Sequence, residues 1–381
     1  MQPRIGEHAS PPTDERLAAL RSVAHDRAGY WFPEYDGRPV KVDVRTVSTR
    51  PRGSLLVLTI RQGDVQRRAM VKLRHDDNRR SAAVARPGLV PPPLPAAAQA
   101  ALEYEGLCGI HRMVDPTDPR LGAVRPLEHI PGVSGVVTEY LEASPGRRAL
   151  VSATRVGAFL PRGHRAQFGP ALLRHAGMWL RAFHGTNDDY RLTDRVATQN
   201  ELAALFVDFE AYLTERVGAS AGALARRAGT SVPVLLSSQV PLAVGHGDFA
   251  ARNTMIDQRG RLYVIDPMPR WRTPVLEDLA RFLVGLRLHG LQVHSHGLAF
   301  GRGFLDAREQ DLLVGYFGDR PIEVRALHSY MLLVLLDKWS ALTSQRMSSG
   351  GGVARVRAAW ADQYVLREGH RLLGLVEDFR S

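Results

Sequence analysis

Between Val40 and Leu73 the chain alternates apolar and polar residues in three successive runs, "VKVDVRTVS", "SLLVLTI" and "RRAMVKL", separated only by the turns "TRPRG" and "RQGD". A period of two sends neighbouring side chains to opposite faces, and connections this short join antiparallel strands. From about residue 142 the texture becomes helical. "QNELAALFVDFEAYLTERV" is one such run, with Leu202, Leu205, Phe206, Phe209 and Leu213 on one face. The pattern demands an α+β chain: a small antiparallel sheet first, a larger helical body after it.

Between the two textures lie a Pro-rich stretch, "RPGLVPPPLP", and a helix over "AAAQAALEYEGLCGIHRMV". Two more strand candidates follow, "AVRPLEHI" and "GVVTEYL". The expected organisation is an N-terminal extension over 1–35, disordered and then helical, a small lobe over 36–141 and a large helical lobe over 142–381. The Pro-rich insertion 87–95 reads either as a partner-docking segment or as a strap across the small lobe.

Composition narrows the partners. No apolar run reaches the roughly 20 residues that span a bilayer, and the first residues lack the basic-then-apolar layout of a secretory signal. A cytoplasmic protein without a membrane partner is expected. The net charge of +11 comes from arginine, because Lys41, Lys72 and Lys338 are the only lysines. No helix-turn-helix, finger or aromatic-basic motif accompanies it, so nucleic acid is not expected as a partner. Cys108, the single cysteine, excludes an intrachain disulfide.

One stretch interrupts the helical half: "VGHGDFAARNTMIDQRGRLYVIDP", Val244 to Pro267. It reads as a loop and a hairpin. The hairpin brings Asn253 at its entry beside Asp266 at its exit. A carboxylate and a carboxamide oxygen converging there suit a hard cation such as Mg²⁺. Asp248, on the same loop, is left free to accept a proton from an alcohol.

"HGDFAARN" followed by "VID" resembles the catalytic loop and metal-binding strand of the aminoglycoside phosphotransferase family, small-molecule kinases with a protein kinase-like two-lobe fold. "AGMWLRAFHG" and "EDLARFL" are similar to family segments on either side. The resemblance implies ATP as phosphoryl donor, Mg²⁺ on Asn253 and Asp266, and Asp248 as catalytic base. It also implies Lys72 on the third strand at the α/β-phosphates, held by a glutamate on the next helix. Spacing favours Glu103 for that role, with Glu105 as the alternative. A lysine in so arginine-rich a chain carries information, because a compact ammonium fits between phosphate oxygens as a planar fork does not. The turn with Ser48, Thr49, Gly53 and Ser54 would cover the phosphates. Glu139 and Leu141 would stand in the strand that receives adenine. His246 is expected to brace the loop, and Asp278 either to cap its helix or to tie the loop's backbone.

The segment after Asp266 has neither Asp-Phe-Gly nor Ala-Pro-Glu, so the acceptor is expected to be a small hydroxyl compound bound by helices after residue 283 rather than a protein. Arginines outnumber acids over 142–200, which disfavours a polycationic acceptor. A sugar, polyol or other metabolite is therefore expected first. An aminoglycoside or macrolide kinase conferring resistance comes second, and a nucleotide-binding regulatory protein without catalysis is the alternative of another class.

Overall fold

The computed structural model of the protein describes residues 12–50, 52–76, 86–89, 94–152, 170–186, 190, 192–236, 241–346 and 352–378. Helix α1 (Asp14–Trp31) leads into β1 (Lys41–Arg50), β2 (Gly53–Gln62) and β3 (Val65–Arg74). Helix α2 (Ala96–Met113), β5 (Pro126–Ile130) and β6 (Gly135–Glu139) complete the first lobe, while β4 (Leu121–Gly122) pairs in parallel with Leu262 and Tyr263 of the second. The sheet is antiparallel throughout, in the order β1-β2-β3-β6-β5.

Two helices cover opposite faces of this sheet. Val137 lies in the apolar cluster that holds Leu20, Ala24, Ala28 and Trp31 of α1 together with Leu56, Leu58 and Val71. Its neighbour Val136 clusters instead with Ala100 and Leu107 of α2. The period of two sorts adjacent valines onto different helices. Helix α1, the helical part of the expected extension, thus closes one face of the sheet and shares its apolar core. Residues 1–11, where disorder was expected, lie outside the described residues.

The second lobe begins with β7 (Ala143–Pro145), α3 (Gly146–Ser152), α4 (Pro170–His184), α5 (Gln199–Arg216), α6 (Ala219–Gly229) and α7 (Val232–Leu236). Strands β8 (Leu242–Val244), β9 (Thr254–Asp257), β10 (Leu262–Val264) and β11 (Arg272–Pro274) follow. Helices α8 (Val275–Arg287), α9 (Gly290–His294), α10 (Arg302–Phe317), α11 (Val324–Arg346) and α12 (Gly352–Glu377) end the chain. The expected hairpin is β9-β10, with Val264 opposite Thr254.

Helix α11 runs through the centre of the lobe, with Met331 to Leu336 all buried. Helices α4 and α10 cross with almost no clearance: a Cβ on Gly177 would overlap the carbonyl oxygen of Leu312, and one on Gly315 that of Arg174. The described part of the Pro-rich insertion reaches the second lobe, which neither expectation foresaw. Leu89 N–H and Arg86 Nη1 donate to Asp337 Oδ1 of α11 at 3.3 and 3.1 Å. Among the described residues, no helix is long and apolar enough to cross a membrane.

Candidate active site

Strand alternation positions Lys72. Val71 and Leu73 turn into the core, so Lys72 and Arg74 emerge on the face toward α2. Lys72 Nζ donates to Glu103 Oε1 at 2.9 Å and to Asp266 Oδ1 at 2.5 Å. Glu103 is buried on α2 and satisfied on both oxygens, since Arg74 Nε donates to its Oε2 at 3.0 Å. Glu105, the other candidate partner, is exposed.

Asp266 takes up a left-handed backbone, φ 61°, a conformation that is uncommon for a residue bearing a Cβ. Burial alone would raise its carboxyl pKa. The Lys72 ammonium and Arg74 outweigh that and hold the group below the usual carboxylate range. The first lobe's cation and the second lobe's carboxylate thus meet directly.

On the other side of the hairpin, Asn253 Nδ2 donates to the Asp248 backbone oxygen at 2.8 Å and to its Oδ2 at 2.9 Å. These two bonds fix which way the amide faces and leave its Oδ1 as the free acceptor. Ile265 N–H donates to Asn253 O at 2.9 Å, so Asn253 lies opposite the residue that precedes Asp266. Asp266, with about a third of its side chain exposed, and the Asn253 amide oxygen are the kinds of donor that a hard cation such as Mg²⁺ takes, and they are the residues here that could hold one.

Asp248 departs from expectation. Its carboxylate is not free: Oδ1 is paired with Arg252 Nη2, and Oδ2 accepts from Asn253. Arg252 stands four residues on, in the short turn that ends at Asn253, where an exposed guanidinium reaches the nearest acid. Gly247 permits the approach to this loop, with φ 81° and the Met268 carbonyl oxygen 2.9 Å from where a Cβ would sit.

The loop is braced from below. His246 is fully buried, edge-on to Trp179, Phe183 and Phe249. Its backbone N–H donates to Asp278 Oδ2 at 2.7 Å, and its Nδ1 accepts from Asp248 N–H at 3.4 Å. Of the two roles open to Asp278, tying the loop's backbone is the one observed. The same oxygen lies 3.4 Å from His184 Nε2, whose Nδ1 in turn is 2.7 Å from the Tyr316 hydroxyl. Burial pushes the His246 imidazole pKa down despite the nearby carboxylates.

The turn expected to cover the phosphates joins β1 to β2. Ser54 is buried with its hydroxyl 3.3 Å from His75 Nε2, so its side chain is not presented to a ligand. Gly53 is explained by sheet packing, because a Cβ there would lie 2.5 Å from Leu73 O. Ser48 and Thr49 lie at the end of β1, and Pro51 is outside the described residues. In the connecting strand, Glu139 N–H is taken by Arg125 O at 2.9 Å and Leu141 O accepts from Ala143 N–H at 3.0 Å.

Three residues near these groups escaped sequence reasoning: Arg74, Arg252 and Lys338. For Lys338 the signal was available, since the rarity of lysine that singled out Lys72 applies to it equally.

Residues 138–321 match the model of the APH family, the phosphotransferase enzyme family, in line with the motifs around Asp248 and Asp266. No curated protein matches the sequence. Solved structures of similar fold include a choline/ethanolamine kinase family protein from Mesorhizobium loti, 16% identical, with 95% of this chain and 99% of that one covered at a TM-score of 0.53. A Plasmodium vivax ethanolamine kinase is 10% identical over 96% and 93% of the two chains, TM-score 0.52. A glucosamine kinase, solved with glucosamine, ADP and inorganic phosphate, is 18% identical over 90% and 84%, TM-score 0.50. At these identities the likeness is one of fold, the protein kinase-like arrangement of a sheet-based and a helical lobe.

Proposed function

We propose, with the match of residues 138–321 to this phosphotransferase family as the premise, that the protein moves the γ-phosphoryl group of ATP to a hydroxyl of a small molecule. The observation that carries this reading is the reach of Lys72 to both Glu103 and Asp266, with Asp248 and Asn253 joined on the adjoining turn.

In this mechanism the Lys72 ammonium, aimed by Glu103, lies against the donor's phosphates. Asn253 Oδ1 and Asp266 would hold Mg²⁺, which when bound offsets phosphate charge. Asp248 exchanges its Arg252 partner for the acceptor hydroxyl and takes that proton as the new O–P bond forms and the bond to the departing ADP breaks. Asn253 keeps the Asp248 carboxylate oriented throughout, so the contribution is positioning and electrostatic stabilisation. The acceptor class we favour is a sugar, polyol or comparable metabolite. The names of the structural neighbours, kinases of choline, ethanolamine and glucosamine, support a small alcohol.

The test is ADP release from Mg·ATP over a panel of sugars, polyols, nucleosides, sugar phosphates, aminoglycosides and macrolides, with Asp248→Asn as control. Acceptor-dependent release that the variant loses by ~10²-fold or more is expected. Nucleotide binding without turnover on any acceptor would favour a regulatory protein instead, and release with the variant intact would remove Asp248 from the mechanism.

A further inference from the structure

Lys338 is an unusual lysine. It projects from the buried helix α11 and donates from Nζ to Arg281 O of α8 at 3.1 Å. That carbonyl is its only hydrogen-bond partner among the described residues, and no carboxylate there forms an ion pair with it. One turn after Arg281, α8 carries Gly285, and a Cβ at that position would lie 3.4 Å from Nζ. The missing side chain leaves the ammonium room.

The nearby acids are already engaged. Glu277 is paired with Arg195 and Arg281, both through contacts of 2.7–2.8 Å. Asp337 accepts from Arg86 and Leu89 and lies 3.8 Å from Arg281. Asp248 is held by Arg252, on the turn that packs against α8. The Phe282 ring, next to Arg281 on α8, lies 4.9 Å from the ring of Phe249, next to Asp248, so the helix that receives Lys338 packs directly behind the loop that carries Asp248. Once Asp248 turns to an acceptor hydroxyl, Arg252 loses its ion-pair contact, and among the described residues neither it nor Lys338 then has a carboxylate in direct contact. Poorly solvated charge of one sign recruits the opposite sign from a ligand.

We propose that Lys338, together with Arg252, is the acceptor-recognition element of this protein, and that the acceptor is an alcohol bearing a carboxylate or a phosphate. The inference rests on the kinase reading above and narrows it, since it excludes the amine-bearing alcohols.

The experiment compares alcohols matched in skeleton but not in charge: glycerol, ethanolamine, glycerate and glycerol phosphate, and separately glucose, glucosamine and glucuronate. Steady-state constants are measured for the full chain and for Lys338→Gln, Lys338→Arg and Lys338→Glu, with Mg·ADP binding as the check on folding. The anionic member of each set is expected to have the highest kcat/KM. Its advantage over the neutral member should fall at least ~10-fold in Lys338→Gln, through KM. The advantage should persist in Lys338→Arg and pass to the amine in Lys338→Glu, a reversal that a merely structural lysine would not produce. Glycerate against glycerol phosphate separates carboxylate from phosphate.

Preference of the unmodified protein for ethanolamine or glucosamine would overturn the proposal while leaving the kinase reading intact, as would an equal loss on all acceptors in Lys338→Gln. If no acceptor is phosphorylated, the kinase reading fails. Calorimetric titration of glycerate and glycerol phosphate then decides the anion site: binding that is lost in Lys338→Gln upholds it, and no binding ends it.

Discussion

Lys72 Nζ and Asp266 Oδ1 are 2.5 Å apart although 194 residues separate them in sequence. One belongs to the sheet lobe and the other to the helical lobe. The contact makes the ammonium answer to two carboxylates, Glu103 at its back and Asp266 in front. Replacing Lys72 by Met leaves Glu103 neutralised by Arg74 but frees Asp266. Nucleotide affinity should fall at least ~10-fold and kcat/KM for ATP ~10²-fold, as expected on losing a charge-assisted phosphate contact. Equilibrium nucleotide binding and steady-state kinetics measure both.

Asp278→Ala removes the acceptor of the buried His246 N–H and of His184. Leaving such groups unsatisfied costs roughly 2–3 kcal/mol. The variant should melt several degrees lower by calorimetry, and its kcat should fall more than its nucleotide affinity, because the loop that carries Asp248 hangs from this bond. An unchanged melting temperature would remove Asp278 as the brace.

His246 gives stability a pH dependence with a definite sign. Burial pushes its pKa below the ordinary value against the pull of Asp278, Asp248 and Asp266, with His184 acting in the same direction as burial. The unfolded chain therefore binds a proton near pH 6.5 that the folded chain refuses. This part of the stability is complete above about 6.5 and is lost as pH falls toward the folded value, at up to ~1.4 kcal/mol per unit. Thermal melts between pH 7.5 and 5.5 should record the slope, and His246→Gln should flatten it.

Acceptor binding should follow a second titration. Burial, reinforced by Arg252 and Arg281 against the pull of Asp248 and Asp337, lowers Lys338 to about 7. Its charge is present below that pH and lost above it. KM for an anionic acceptor should therefore be flat below about 7 and rise ~10-fold per unit above it, while KM for ATP stays level. A flat acceptor profile through pH 8.5 would count against Lys338 as the anion contact.

Gly177→Ala should destabilise the helical lobe, because the added Cβ would overlap a backbone carbonyl of α10 that has no rotamer to change. Overpacking of this kind costs about 1–3 kcal/mol or more. Denaturant titration should give a lower midpoint, with glycine at Gly315 unable to relieve it.

What could be read in the sequence was what local pattern or spacing encodes. The three strands and the β9-β10 hairpin follow from periodicity and turn geometry, and the place of Lys72 from its position on the third strand. What could not be read depends on elements distant in the chain. Ser54 turns inward because His75 is there to receive it. Asp248 is not free because Arg252 is near enough to claim it. The role of α1 as one cover of the sheet is invisible in its weakly patterned sequence, since only Leu20, Ala24, Ala28 and Trp31 are fully turned inward.

The crossing of α4 and α10 also constrains how this chain can diverge. Any substitution at Gly177 or Gly315 adds a Cβ, and each glycine faces the other helix's backbone rather than a side chain that could shrink in compensation. Neither position can be vacated first and repaired later by its counterpart. Lineages descending from this sequence are locked at both codons unless the helices themselves move apart, and with them the His184–Tyr316 contact beneath the loop that carries Asp248.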